Sequence, residues 1–298
     1  MTALSKKIDF AVIVTVNHAN PNGDPLNGNR PRVTYGGYGE ISDVAIKRKI
    51  RNRLMDMGKT IFVQSDDNKV DEYRSLRDRA EGMLKGVDTS DKKKFLEAAC
   101  KTWLDVRAFG QVFAFKAKKS KKSEKKSEGT EDSDGVSVHV RGPVSVHPAF
   151  SVVPLNNRIS SIQITKSVNS ETSEKDKRGS DTMGMKHRVD HGVYVFYGSM
   201  NPQLASKTGF SDEDAQAIKE ALRTLFRNDA SSARPEGSMK VHRVYWWEHN
   251  CPNGQYSSAD VHSRLNVKPV KDEPKTIDDY AINLNTSPDL KCDEIEGE

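Results

Sequence analysis

The sequence predicts an α+β protein, and three observations carry that prediction. Apolar, β-branched runs at residues 8–16, 192–197 and 241–247 have the length and composition of core strands. Amphipathic helices open at Ser42 and Ser211, one after each of the first two runs. Between them lies a block of short β-type runs interrupted by polar, glycine-bearing chain. The order is strand, helix, short strands, strand, helix, strand. This is compatible with a βαββαβ ferredoxin-like core carrying a large insertion between about residues 105 and 190.

The first strand, residues 8–16, is apolar at almost every position, as a central strand buried on both faces requires. It stops at Asn17, where Asn, Gly and Pro crowd residues 17–31 and cannot continue a ladder. A helix follows, capped by Ser42, with Asp43 in its positive first turn and an apolar stripe of Ile46, Ile50, Leu54 and Met57. Its other side carries Lys47, Arg48, Lys49, Arg51 and Arg53, cations that repel one another at helical spacing. Two readings are open for that side: a solvated face, or a face that binds phosphate.

Residues 71–84 and 92–104 read as packing helices, through Leu76, Ala80, Met83 and Leu84, then Phe95, Leu96, Ala99, Trp103 and Leu104. Residues 105–115 read as an extended stretch in which Arg107 and Gln111 sit among aromatics. Residues 116–135 contain no large apolar side chain, and a disordered surface loop is expected there. Short strands are expected at 136–140, 144–146 and 160–165. Residues 170–191 read as a polar loop with Lys186, His187 and Arg188 close to Met183 and Met185. Either those methionines fill a gap, or they tip an excursion that wedges between bases.

The helix from Ser211 has a capping box closed by Asp214 and a stripe of Ala215, Ile218, Leu222, Leu225 and Phe226, with Arg223 and Arg227 complementing its far end. A loop containing Arg234 leads to the strand at 241–247, and from Lys268 onward the polar chain is expected to wrap the surface.

With 298 residues and a net charge of +5 the chain is mildly basic, its excess gathered in the first helix and in residues 116–126. Cys100, Cys251 and Cys292 lack metal-ligand or redox spacing, and no apolar run is long enough to span a bilayer, so a soluble, cytoplasmic protein is expected. No phosphate-binding P-loop, dinucleotide fingerprint or serine elbow is present. His187 and His191 would share a metal only on a helix, which Gly184 and Gly192 disfavour; His249 and Cys251 lack further ligands. Asp24, in a Gly-Asp-Pro turn, is either a turn former or a ligand for a divalent ion beside a phosphate. The aromatic code of RNA-recognition modules is missing from the strands, so an RNA-binding version of this core would use loops, the basic helix and the insertion.

Several long motifs, in order, resemble one family. They are NPNGDP in the first loop, DVAIKRKIRNRL in the first helix, DVRAFGQVF at 105–113, RGPVSVHPAFS at 141–151, SIQITKS at 161–167, MGMKHRVDHGVYVFYGSMNP at 183–202 and LFRNDASSARPEGSM at 225–239. The chain is similar to the CRISPR-associated RAMP backbone subunit of type I Cascade, closest to its subtype I-C form. That resemblance implies a hand-shaped protein whose palm is a modified, RRM-like ferredoxin domain with finger and thumb insertions. Residues 1–104 would be the first part of the palm with a helical insertion. Residues 105–191 would hold the finger and thumb, 192–267 the rest of the palm, and 268–298 a polar extension.

It implies further that copies assemble head to tail along a CRISPR guide RNA beside other Cascade subunits, and present the spacer for pairing with target DNA. Carried over by motif, His18 and Asn20 lie by the RNA, and Lys47, Arg48 and Arg51 meet phosphates with Arg107 and Gln111 nearby. Ser145 and Lys166 are candidates on the inserted block. Met183, Met185, Lys186, His187 and Arg188 belong to the thumb, and Arg234 to the loop after the second helix. No catalytic residue, metal or cofactor is implied. Two rivals remain: a metal-dependent RNA endonuclease of the type III backbone kind using Asp24, which lacks a recognisable second carboxylate, and a repeat-processing nuclease, for which no acid–base pair is arranged.

Overall fold

The computed structural model describes residues 2–87, 91–115, 136–166 and 182–298. In chain order the elements are β1 (Ile8–Ala19), β2 (Gly23–Asp24), β3 (Arg30–Pro31), β4 (Tyr38–Ile41), α1 (Asp43–Asp56), α2 (Leu76–Met83), α3 (Lys92–Thr102) and α4 (Leu104–Phe109). Then come β5 (Gly110–Phe115), β6 (Val136–Arg141), β7 (Val144–Val146), β8 (Ala149–Pro154), β9 (Ile159–Lys166) and β10 (Thr182–Met200). The chain continues through α5 (Pro202–Thr208), α6 (Asp212–Arg223), β11 (Met239–Glu248), α7 (Ser258–His262), β12 (Leu265–Pro269), β13 (Tyr280–Leu284) and β14 (Cys292–Glu296). The protein is α+β. One antiparallel sheet runs β14-β11-β1-β10-β8-β4, with β7 and β9 also paired to β10.

β1 is the middle of this sheet, bonded to β10 on one side and β11 on the other. Its alternation explains its unbroken apolar run. Phe10, Val12, Val14 and Val16 point into a core closed by Ile46, Ile50 and Leu54 of α1 and by Ile218 and Leu222 of α6. Ala11 and Ile13 point the other way, into a second core with Val193, Tyr245 and Trp247 under Val261, Leu265, Tyr280 and Leu290. Both faces of β1 are covered. A third core joins Phe62, Phe95, Trp103, Phe113 and Val138, tying α3 and α4 to the β5–β6 hairpin.

The caps form as the sequence specifies. Ser42 Oγ accepts from Ala45 N, and Ser211 and Asp214 form a reciprocal capping box. Four expectations are corrected. First, residues 104–109 are helical, because Leu104, Val106 and Ala108 turn into two cores while Asp105 accepts from Phe62 N at 2.7 Å and Val63 N at 3.1 Å. Gly110, at φ 82°, then releases the chain into β5. Second, residues 182–191 are strand, not loop: they pair with β9 from Thr182↔Lys166 to Val189↔Ile159. Third, the chain beyond Lys268 builds β13, which pairs with β12, and β14, which joins the main sheet. Fourth, β8 and α5 are additional elements, and β1 runs on to Ala19. Residues 116–135 and 170–181, expected as loops, lie outside the described residues. Among the described residues no helix is long and apolar enough to cross a membrane.

A buried polar centre sits under the second core. His249 Nε2 donates to Asp9 Oδ2 at 2.8 Å, Lys7 Nζ lies 3.1 Å from the same oxygen, and His262 donates to Gly198 O at 3.0 Å. Burial works against Asp9's charge, yet hydrogen bonds from His249 and Ser258 and the charge of Lys7 hold its carboxyl below the ordinary range. Burial likewise lowers His191, His242 and His262 from the ordinary imidazole value of 6.5. Below that value the unfolded chain takes up protons that these folded imidazoles refuse, so stability falls as pH falls. Urea unfolding at pH 7.5 and 5.5 is expected to show lower stability at 5.5; equal values would contradict the neutral, buried imidazoles.

Candidate nucleic-acid interface

With both faces closed, the exposed functional groups collect at one end of β1. Four segments converge there through backbone and amide bonds. Asn17 N donates to Ser238 O at 2.8 Å and Asn20 N to Ala233 O at 2.9 Å, joining β1 to the loop after α6. Asn20 Nδ2 donates to Asn29 O at 2.7 Å, folding the Asn/Gly/Pro loop back on itself. Asn22 Oδ1 accepts from Ser42 N at 2.9 Å, tying that loop to the start of α1. Asn20 is therefore a buried organiser of the loop and not a side chain offered to solvent.

His18 interrupts the β1–β10 register between Asn17↔His191 and Ala19↔Val189, and it adopts φ 50°. That left-handed backbone costs a non-glycine residue on the order of 1 kcal/mol. It turns an exposed imidazole outward, Nδ1 3.7 Å from Asp190. Beside it a cleft of about 620 Å³ is lined by His18, Arg158, Asp190, His191 and Lys275. His191 Nδ1 donates to Asn17 Oδ1 at 2.7 Å, while its buried Nε2 has no partner.

Cations ring this end. Arg30 Nη1 donates to Ser161 Oγ at 3.1 Å, and Ser161 Oγ is 2.7 Å from His187 Nδ1, so the β3 loop is bonded to the β9–β10 arm. Arg32 lies 3.7 Å from Asp24, and Arg188 lies 3.8 Å from Asp190. Arg234 Nε donates to Asp229 Oδ2 at 3.1 Å, and Lys47 pairs with Asp43 at 3.0 Å. Lys186 is half-buried on the arm, Met185 is exposed, and Met183 and Lys166 are placed near it by register. Arg30 and Arg32 were not among the expected contacts. Their only sequence signal is that they flank Pro31 just after the loop.

The helix cations do not form one exposed stripe. Lys49 and Arg53 are buried: Lys49 pairs with Asp229 above the Phe226 ring, and Arg53 Nε donates to Thr224 Oγ1 at 2.7 Å. Burial pushes the Lys49 ammonium down to about 8 despite Asp229. Arg51 Nε donates to Asp105 at 2.9 Å and stacks over Phe109, and Arg48 Nη1 donates to Val63 O at 3.2 Å. The repulsion read from the sequence is thus relieved largely by the chain's own carboxylates. Arg107 grips Asp214 with two bonds of 2.7 Å at the start of α6. Helix α6 is about 18 Å long, so this fork sits far from the Arg234 loop at its other end. Gln111 bonds to Val112 O, and Ser145 is exposed on β7 opposite Ser199.

Asp24 behaves as a turn former. Its Oδ1 accepts from Leu26 N at 3.2 Å and caps a short turn that ends at Gly28. His187 and His191 lie on one strand, about 13 Å apart along it, and bond to different neighbours. Among the described residues no group of three or more His, Cys, Asp and Glu side chains could hold a metal ion.

An α+β protein whose central strand is covered on both faces, with cations ringing that strand's end, presents a rim suited to a polyanion. The chain belongs to a known family: the family model described as CRISPR-associated protein Cas7 matches residues 6–285. It is similar to the CRISPR-associated protein Cas7 of Haloferax volcanii, 26% identical over 237 residues that cover 78% of this chain and 67% of that one. Among solved structures it is similar to a chain of a CRISPR RNA-guided surveillance complex, pre-nicking. There the TM-score is 0.44 at 16% identity, covering 81% of this chain and 78% of that one. A second similarity is to a chain of a CRISPR RNA-guided surveillance complex, with TM-score 0.38 at 17% identity over 81% and 68% of the two chains.

The Lys49–Asp229–Arg234 cluster gives a separable prediction. Lys49→Ala leaves the half-buried Asp229 with one partner fewer and is expected to lower stability by about 3 kcal/mol in urea unfolding, because it breaks a largely buried pair. The exposed pair is weaker: Lys47→Ala should cost less than about 1 kcal/mol. Equal, small effects would show that Lys49 is not held as described.

Proposed function

We propose that this protein is a non-catalytic, guide-RNA-binding backbone subunit of a type I Cascade surveillance complex of the subtype I-C kind, acting in antiviral defence in the cytoplasm. Several copies would line one CRISPR guide RNA beside other Cascade subunits and leave its spacer free to pair with target DNA. One observation carries this reading: the loop of Asn20, Arg30 and Arg32, the arm of Lys186 and Arg188, and the loop of Arg234 are bonded together at a single end of a sheet whose central strand is covered on both faces. Such a site recognises the sugar–phosphate backbone and leaves the bases to specify sequence.

The palm reading rests on topology. The sheet order β11-β1-β10-β8, antiparallel at every step, with α1 after β1 and α6 between β10 and β11, is the order of a ferredoxin-like split βαβ unit. In this reading residues 1–104 and 192–267 share the palm with β8 (Ala149–Pro154), the rest of 105–191 carries finger and thumb, and the β9–β10 arm is the thumb's base. His18, Lys47, Lys186, Arg188 and Arg234 face the RNA, joined by Arg30 and Arg32, while His187, buried and bonded to Ser161, holds the arm beside them. Arg48, Arg51, Arg107 and Gln111 act at the helical insertion, where internal partners position them. Asp24 is left to its turn, its carboxylate engaged by Leu26 N and approached by Arg32.

Protein co-expressed with a CRISPR array and its neighbouring subunits is expected to purify as a large assembly holding intact, unit-length guide RNAs. Affinity for single-stranded RNA should be similar across sequences and fall by about 0.7 log units per phosphate contact per log unit of salt. Replacing Arg30, Arg32 and Arg188 together by Ala should weaken binding to every sequence and reduce that slope by up to about 2. A monomer free of RNA would refute the reading. Regularly spaced cuts in target RNA that require a divalent metal and vanish in Asp24→Ala would replace it with the endonuclease.

A further inference from the structure

Strand β14 is an edge strand held mainly by charge and backbone. It pairs with β11 from Trp247↔Cys292 to Arg243↔Glu296, yet Asp293, Glu294 and Glu296 are exposed. Only Ile295 and Cys292 pack partly against the two cores. Lys219 of α6 lies 3.1 Å from Asp293, Arg243 lies 3.0 Å from Glu294, and Arg223 lies 3.1 Å from Glu298, which Arg227 also contacts. Beyond the strand, Gly297 N donates to His242 O at 3.3 Å and Glu298 N to Arg223 O at 3.0 Å. A Cβ at Gly297 would stand 2.1 Å from Val241 O, so this seat accepts no side chain at that point.

We propose that the outer edge of β11 and the cationic face of α6 form a docking site for an acidic, extended strand of a partner polypeptide, and that β14 occupies it in the free chain. The occupant in place spells out what the site takes: an acid, an aliphatic residue two positions on, a glycine two further, then another acid, as in Asp293, Ile295, Gly297 and Glu298. Main-chain bonds to β11 supply the mode of binding known as strand addition. A phosphate backbone would meet Lys219, Arg223, Arg227 and Arg243, but it would leave the β11 edge unpaired and the Ile295 position empty. Surface ion pairs of this kind are individually weak and screened by salt, so the strand can leave at the loss of its ladder and of the partial Ile295 and Cys292 contacts with the cores. Leu290, buried just before it, tethers β14 at an effective concentration on the order of millimolar. A partner strand therefore takes the seat when β14 is dislodged or when assembly brings the partner equally close.

The test uses the full chain carrying Gly297→Val and Glu298→Lys, which drive β14 off its seat, and a labelled peptide with the sequence of residues 290–298. The variant is expected to bind the peptide at least about 100-fold more tightly than the unaltered chain, since intramolecular competition is gone. Added salt should weaken the complex, and a peptide with Ala in place of the glycine should not bind. A folded variant that ignores the peptide overturns the proposal. So does one that binds single-stranded RNA at this face in its place, which would make β14 a mask over a nucleic-acid site. If the variant does not fold, hydrogen exchange on the unaltered chain decides. Millimolar peptide should speed exchange of the β14 amides while β1 stays protected, and β14 amides as protected as those of β1 would overturn the proposal.

Discussion

Burial of β1 on both faces is the constraint from which the rest of the molecule follows. A strand whose alternate residues feed two separate cores has neither face open to a ligand. Groups that must meet solvent are then confined to strand ends and to the loops that leave them. This is why His18 accepts a left-handed backbone where β1 ends, and why the asparagines that follow spend their amides on the neighbouring loops. The covered central strand makes the site a rim, assembled by hydrogen bonds between segments far apart in sequence.

Charge is distributed by the same logic. The carboxylates of Asp105, Asp214 and Asp229 each take up an arginine or lysine from another element and fix it in one place. Asp105 also caps two backbone amides, so a single side chain seats the helical insertion against α1. Buried pairs of this type add little net stability but penalise alternative arrangements strongly, since each charge left alone is costly. Cations engaged in this way act as struts, while those at the rim, such as Arg30 and Arg32, keep part of their donor capacity free.

Much of the architecture was legible because it depends on local chemistry. The unbroken apolar run of β1, the caps at Ser42 and Ser211 and the stripe of α6 each announce themselves within a few residues. The missed parts depend on distant partners. Nothing near Lys49 indicates that Asp229, in a different loop, will bury it, and nothing near Arg107 points to Asp214. Residues 182–191 read as loop because two of the three buried positions that alternate along 187–191 are histidines, His187 and His191 flanking Val189, so the sequence lacks the apolar period-two signal of a half-buried strand. β14 was missed for the same reason, its acids being an edge strand's ordinary protection. Arg30 and Arg32 stood in plain view but alone, and only the fold brings the arm beside them.

Strand β10 runs without a break from the arm to the middle of the sheet, 19 residues spanning about 60 Å. One half is clamped against β1 and the other is bonded to β9. Such a strand is a beam with one end built into a wall. The direction in which the arm leaves the body is set by the sheet's own twist, with no intervening hinge between the two halves. A load applied to the arm is carried directly into the ladder beside β1, the most deeply buried part of the protein. An assembly that pulls or presses on its arms would therefore sense the stiffness of the core itself.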